Sequence, residues 1–206
     1  MKLYLISGNK GKIKELLHLA STYGIELIPL DVPKIEVQSD SLEDIALYSA
    51  VSAYLSIKKP LIVEDSGLFI KSLGMFPGTL SSYVYRTIGI AGILKLMEGV
   101  NDREAYFKSV IALVNPEEKE IRLFSGEVLG EISREPRGSG GFGFDPIFIP
   151  RGWSKTFAEM SIDEKNSVSH RAAAFRSLAR WLLRNGRGFS TTSSPQVGVG
   201  GEKESY

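Results

Sequence analysis

The sequence predicts an α/β fold, a β-sheet carrying helices, on three observations. Short apolar runs bounded by turn residues stand at 2–7 and 61–65. Segments with helical spacing of apolar residues lie between and after them. A β-rich middle, 103–133, folds back around the polar turn "PEEKE".

Element by element, "KLYLIS" (2–7) is short, apolar and closed by Gly8-Asn9, the pattern of a buried strand. "KGKIKELLHLASTYG" follows, with Ile13, Leu16, Leu17 and Ala20 spaced as one helix face and Gly24 as terminator. "IELIPLDVPKIEVQ" is extended, because its prolines oppose helix. "SDSLEDIALYSAVSAYLSIK" is a second helix with Ser41 and Asp44 in capping-box positions, stopped by Pro60. "LIVED" returns as a strand, expected to end at Glu64-Asp65 before a Ser66-Gly67 turn. Residues 71–89 are partly irregular, and "IAGILKLMEG" is a short helix. "REAYFKSVIALVN" and "IRLFSGEVLGEIS" form an antiparallel hairpin. "RGSGGFGFDPIFIP" is a Gly-rich loop entering an apolar strand. "KNSVSHRAAAFRSLARWLLRNG" is a final helix, with Ala172, Phe175, Leu178, Ala179 and Leu182 on one face and Gly186 capping it. Residues 187–206 are Gly-, Ser- and Thr-rich and read as a disordered tail, which leaves 1–186 as one folded domain.

Composition narrows the function classes. The chain has 206 residues, 43% hydrophobic and 24% charged, and a net charge of +1. Balanced charge gives no bulk attraction to nucleic acid or membrane. The absence of cysteine excludes disulfides and thiolate chemistry. No apolar run approaches the length of a membrane span or a signal h-region, so a cytoplasmic location is expected.

Four polar clusters carry candidate chemistry. Ser7, Gly8, Asn9, Lys10, Gly11 and Lys12 open a helix; backbone N–H groups and lysines there suit an anion, phosphate above all. The spacing is not that of a Walker A loop, and an ordinary capped turn is the plain alternative. Glu64-Asp65-Ser66-Gly67 puts carboxylates at an apolar strand, where they either meet solvent or ligate Mg²⁺. Glu36, in "KIEVQ", is a candidate second carboxylate for that ion or an exposed strand residue. Phe142-Gly143-Phe144-Asp145 offers aromatic faces for a flat base and an acceptor for a ring N–H; otherwise its phenylalanines enter the core. Lys165, Asn166, Ser169, His170 and Arg171 place cations at a helix start, against the helix dipole. An anion there, or Ser169 capping a helix with an exposed His-Arg, would account for them. A Ser/His/Asp hydrolase is poorly supported: there is no G-x-S-x-G elbow and His18 has no evident acid partner.

Taken together, "SGNKGKIKE", "VEDSGL", "FPGTLSSY", "GFGFDPIF" and "EKNSVSHRAAA" stand in one order, and in that order they resemble the inosine triphosphate pyrophosphatases. These are the Ham1-like house-cleaning nucleotide hydrolases, and the resemblance runs from residue 1 to about 185, closest to the archaeal branch. It implies an elongated mixed sheet with flanking helices and two lobes around a central substrate cleft. It implies a Mg²⁺-dependent homodimer that hydrolyses ITP, dITP and XTP to the monophosphate and pyrophosphate. On matching positions, Ser7–Lys12 would hold the triphosphate. Glu36 and Asp65 would ligate Mg²⁺, with Asp65 also accepting the proton. Ser66 would touch substrate. Phe142–Asp145 would hold the base with Lys165, His170 and Arg171. Glu15 would support a second metal or orient Lys12. Three departures stand out: Ser49 lies near where many members carry a lysine, Leu80 where a Tyr is usual, and Phe144 where a Tyr or Trp is usual. A Maf-like pyrophosphatase of other base preference, and a nucleotide sensor without catalysis, are the rival readings.

Overall fold

Ten residues of continuous strand, Leu61–Ile70, run through the centre of the molecule and carry both halves of the chain. The computed structural model describes residues 2–35, 37–117 and 119–185. Gly186 and the tail, expected as cap and disordered segment, lie outside them. The strands are β1 (Lys2–Ile6), β2 (Glu26–Leu30), β3 (Leu61–Ile70), β4 (Pro77–Gly78), β5 (Glu104–Asn115), β6 (Glu120–Ile132) and β7 (Phe148–Pro150). The helices are α1 (Lys10–Thr22), α2 (Leu42–Ile57), α3 (Ser81–Thr87), α4 (Gly89–Leu96), α5 (Ile162–Val168) and α6 (His170–Asn185).

One sheet results, ordered β2-β1-β3-β5-β6-β7, with β4 pairing the far end of β3. β1 runs parallel to β2 and β3; the remaining pairings are antiparallel. The α/β expectation therefore holds, and the sheet is mixed because a hairpin follows the strand–helix–strand unit.

Three apolar clusters cover the sheet. One face near β1 buries α1 and α6 through Leu16, Leu19, Ala172, Phe175, Leu178 and Leu182. The other face buries α2 through Leu42, Ala46, Ala50 and Ala53. A third cluster, with Leu68, Ile70, Phe107, Phe148 and Phe157, fills the opposite end of the long strands. The cleft lies between these two ends.

Four local expectations change. In α1 the buried stripe is Glu15, Leu16, Leu19 and Ala20, and Leu17 is 36% exposed, so the stripe is rotated relative to the predicted one. α2 ends at Ile57, with Lys58 in left-handed conformation, before Pro60 is reached. β3 does not end at Glu64-Asp65; Ser66-Gly67 is mid-strand and pairs with Ser109-Lys108 of β5. Continuous pairing explains this, since the β3–β5 ladder runs without a break from Leu61 to Ile70. The last helix is two: α5 ends at Val168, and Ser169 in extended conformation starts α6, its hydroxyl accepting from the Ala172 N–H at 3.2 Å. Gly126 of β6 lets α6 approach, because a Cβ there would lie 2.3 Å from the His170 carbonyl oxygen.

Candidate active site

Alternation along β3 sorts its polar residues by face. Glu64 and Ser66 point towards α1 and α6, with Ser109 opposite on β5; Asp65 points to the α2 side. A cleft of about 1000 Å³ opens over this stretch. Of the residues proposed from sequence, Ser7–Lys12, Asp65, Ser66, Phe142–Asp145, His170 and Arg171 all line it. Lys165 lies beneath it, bonded to Asp145. Glu36 lies outside the described residues, and Lys34, Val37, Gln38 and Ser39 on either side of it line the cleft.

The β1–α1 loop is built by local hydrogen bonds. Ser7 Oγ accepts from Asn9 N at 3.2 Å, and Asn9 Oδ1 accepts from Lys12 N at 3.0 Å, making Asn9 the N-cap. No acid stands in the first turn of α1, so the positive end of the helix faces the cleft. The Lys12 ammonium turns inward to Glu64 Oε2 at 3.0 Å and Asp65 Oδ1 at 3.6 Å. Burial opposes its charge, but those two carboxylates outweigh burial and raise its pKa.

Glu64 is a buried acid with three partners. Its Oε1 accepts from Ser109 Oγ at 2.6 Å and Arg171 Nε at 3.2 Å, while Oε2 faces Lys12. Burial pushes its carboxyl up, yet Arg171 and Lys12 overcome this and hold it well below the usual range. Asp65 differs. Burial raises its pKa, Lys12 only partly offsets this, and the charge of Glu64 adds to the rise. Its Oδ1 accepts from the Ser66 N–H at 3.0 Å.

In the 142–145 loop, Asp145 is 3% exposed and acts as a cap, Oδ2 accepting from Phe142 N at 2.7 Å. That oxygen also takes Lys165 Nζ at 2.5 Å. Burial raises the Asp145 pKa, with Lys165 acting against it. Phe142 sits under two cations, Lys165 at 5.1 Å and Arg171 at 5.3 Å from the ring centre. Its ring also packs on Gly11, where a Cβ would come within 2.4 Å of it. The 7–12 loop and the 142–145 loop are thus in direct contact.

Several sequence expectations are corrected. Phe144 is 3% exposed and belongs to the core, meeting Tyr85 edge-on at 5.4 Å; it offers no free stacking face. Tyr85 and Tyr83, on α3, line the cleft instead, a pair signalled only by the aromatics of "SSYVYRT". The cations of "KNSVSHR" do not await an external anion. Lys165 lies near the C-terminal end of α5, where the dipole favours it. Arg171 donates to Glu15 Oε2 at 2.6 Å, to Glu64, and to Ser66 Oγ at 3.0 Å. Nor are His170 and Arg171 exposed, at 2% and 1%. His170 stacks on Phe107 at 4.7 Å, and burial and then Arg171 drive its pKa well below 6.5, so the ring is neutral. Glu15 orients Lys165 and Arg171 rather than Lys12, with Lys165 Nζ at 2.6 Å. Burial raises its carboxyl, but Arg171 and Lys165 bring it below the ordinary value. His18 does have an acid partner, Asp163 Oδ1 at 2.8 Å, away from the cleft. Ser49, where a lysine was expected, is buried and donates to the Ile35 carbonyl at 3.1 Å, while Ile35 N donates to Ser52 Oγ at 3.0 Å. α2 thus pins the backbone of the cleft-lining segment.

Comparison with known proteins bears on this geometry. The Ham1 family matches residues 3–181. A dITP/XTP pyrophosphatase of Hyperthermus butylicus is 52% identical over 184 residues, 89% of this chain and 96% of that protein. One from Pyrococcus horikoshii is 50% identical over 185 residues, 90% of this chain and 98% of that protein. The Ham1 protein of Coxiella burnetii superposes with a TM-score of 0.78 at 34% identity, over 89% of this chain and 99% of that one. The Staphylococcus aureus Ham1 protein gives 0.77 at 29% identity, with the same coverage.

Proposed function

The chain belongs to the Ham1 family, and we propose that its cleft hydrolyses non-standard purine nucleoside triphosphates, ITP, dITP and XTP, to the monophosphate and pyrophosphate. The relatives' pyrophosphatase activity supports this reading. The observation that carries it is the contact of Gly11 with Phe142, which joins an anion-binding helix start to an aromatic, acid-backed loop over one carboxylate, Asp65. A triphosphate on Ser7–Lys12 and a base near Phe142 fit a single ligand in that space.

Mg²⁺ suits the acids here. Asp65 lines the cleft with its charge under-compensated, since burial raises its pKa despite Lys12, and an oxygen-seeking cation would relieve that. Among the described residues no group of three His, Cys, Asp or Glu could hold a metal. Glu36 is the proposed second ligand, and Lys34 and Val37 beside it in sequence reach the cleft on the Asp65 side. When bound, the ion would neutralise phosphate charge and acidify water.

The residues of the chain divide the remaining work. Water oxygen bonds to the α-phosphorus, the α–β bridging bond breaks, and pyrophosphate leaves. Asp65 accepts the water's proton, a role favoured by a raised pKa. Lys12 and the loop N–H groups stabilise charge on the leaving group. Ser66 contacts substrate and keeps Arg171 in register. The unshared donors of Arg171 face a 6-oxo acceptor better than the 6-amino group of adenine, because an unmatched buried donor costs about 1–3 kcal/mol.

Residues 1–186 form one domain in this reading, acting as a homodimer in the cytoplasm; no described helix is long and apolar enough to cross a membrane. A panel of ITP, XTP, dITP, GTP, ATP, UTP and dUTP with Mg²⁺ tests the function by pyrophosphate release. Fast release from ITP and XTP is expected. Preference for UTP or dUTP would favour the Maf-like reading, and ITP binding without release would favour the sensor.

A further inference from the structure

Two runs of buried ion pairs meet at one carboxylate. From the base side, Asp145, Lys165, Glu15 and Arg171 follow one another at 2.5, 2.6 and 2.6 Å. Arg171 then meets Glu64 at 3.2 Å, and Glu64 meets Lys12 of the phosphate loop at 3.0 Å. Glu64 has one oxygen turned to each side, and Ser109, fully buried on β5, fixes its rotation at 2.6 Å.

We propose that Glu64 is a positioning residue that couples recognition of the base to the grip of Lys12 on the triphosphate, so that base selectivity appears in kcat. This rests on the proposed function above. Arg171 and Lys12 compete for the same buried charge. A buried carboxylate that loses one countercharge draws harder on the other, since it cannot be left uncompensated. A base that seats against Arg171 keeps the guanidinium on Glu64, and Lys12 is released to the phosphates. A base that repels Arg171 leaves Glu64 to hold Lys12 back. The correct base is then rewarded in the transition state, where charge builds on the leaving pyrophosphate. Glu64 touches neither half of the substrate in this arrangement; it acts through Lys12.

The test compares full-length wild type with Glu64→Gln, measuring kcat and KM for ITP and ATP in Mg²⁺. Glutamine keeps an oxygen for Ser109 and Arg171 but removes the charge for which Lys12 competes. The kcat ratio of ITP to ATP is expected to fall tenfold or more, while the ratio of KM values changes less than twofold. Equal proportional loss for both substrates would overturn the coupling and leave Glu64 a structural acid. Ser109→Ala, which frees the carboxylate without removing its charge, is expected to lower the same ratio by a smaller factor. If Glu64→Gln fails to fold, an unchanged ratio in a stable Ser109→Ala protein overturns the proposal. A wild type with no preference for ITP over ATP would instead overturn the functional reading, and the coupling with it.

Discussion

On the floor of the cleft, Glu15, Glu64, Lys165 and Arg171 are 5, 6, 4 and 1% exposed, each charge locked to two or more others. On the rim, Leu80, Tyr83 and Tyr85 are 47, 60 and 42% exposed and carry few directed bonds. The difference teaches where order resides. Floor charges are costly to bury and persist only because their partners are fixed, so geometry is set before substrate arrives. Rim side chains cost little to move, so they can adapt to a ligand.

Substitutions on the two sides should therefore differ in kind. Asp65→Asn is expected to cut turnover by about 10²–10⁴-fold, the usual worth of general base catalysis. Thermal unfolding should show no loss of stability, because burial disfavours the Asp65 charge; retained turnover would break the assignment. Arg171→Met should be the most destabilising floor change, at about 3–5 kcal/mol by urea unfolding, since Glu15 and Glu64 are left buried without their shared cation. A loss below about 1 kcal/mol would mean that water replaces the guanidinium.

Gly11→Ala sets a methyl against the Phe142 ring. Overpacking of about 1–3 kcal/mol is expected, with a raised KM for ITP as the two loops part. An unchanged KM would show that their contact does not shape the pocket.

Acidity probes the floor through His170. Its pKa is depressed, so the unfolded chain takes up a proton below about pH 6.5 that the folded chain refuses. The stability it contributes is full above that pH and lost as pH falls, by at most about 1.4 kcal/mol per pH unit. Glu15 and Glu64, also depressed, add their loss only as pH falls below about 4.5, and Asp65 and Asp145, raised, act in the opposite sense. From pH 7 to 5 the melting temperature of wild type should fall relative to that of His170→Gln, in which the opposing Asp65 and Asp145 contributions are retained. Parallel curves would remove His170 from the account. On the rim, Tyr83→Ala should change stability by no more than about 0.5 kcal/mol, the usual range for a surface substitution; a larger change would mean that Tyr83 is part of the core.

What the sequence revealed follows the same division. The β1–α1 loop was legible because its logic is local: Asn9 caps, and Lys12 follows three residues later. Ordered motifs singled out Asp65, Ser66 and the Phe142–Asp145 loop, and these residues line the cleft. Glu64 reads in the sequence, with Asp65, as an acid that meets solvent or ligates Mg²⁺, because only strand alternation and the pairing with β5 reveal that it faces Arg171 while Asp65 faces away. Glu15 was matched to the wrong lysine, because its true partners stand 150 and 156 positions along the chain. The break between α5 and α6 was hidden by uninterrupted helical spacing; only Ser169, reading as a cap, marked it. Phe144 read as a stacking face because a Gly-rich loop does not say which of its aromatics turns inward.

The central claim is that water attacks the α-phosphorus of a purine triphosphate lying between Lys12 and Phe142. Hydrolysis of ITP in ¹⁸O-labelled water, followed by mass analysis of both products, tests it directly. The label is predicted in inosine monophosphate, with unlabelled pyrophosphate released in equal amount. Label in pyrophosphate, or release of orthophosphate with inosine diphosphate, would contradict it.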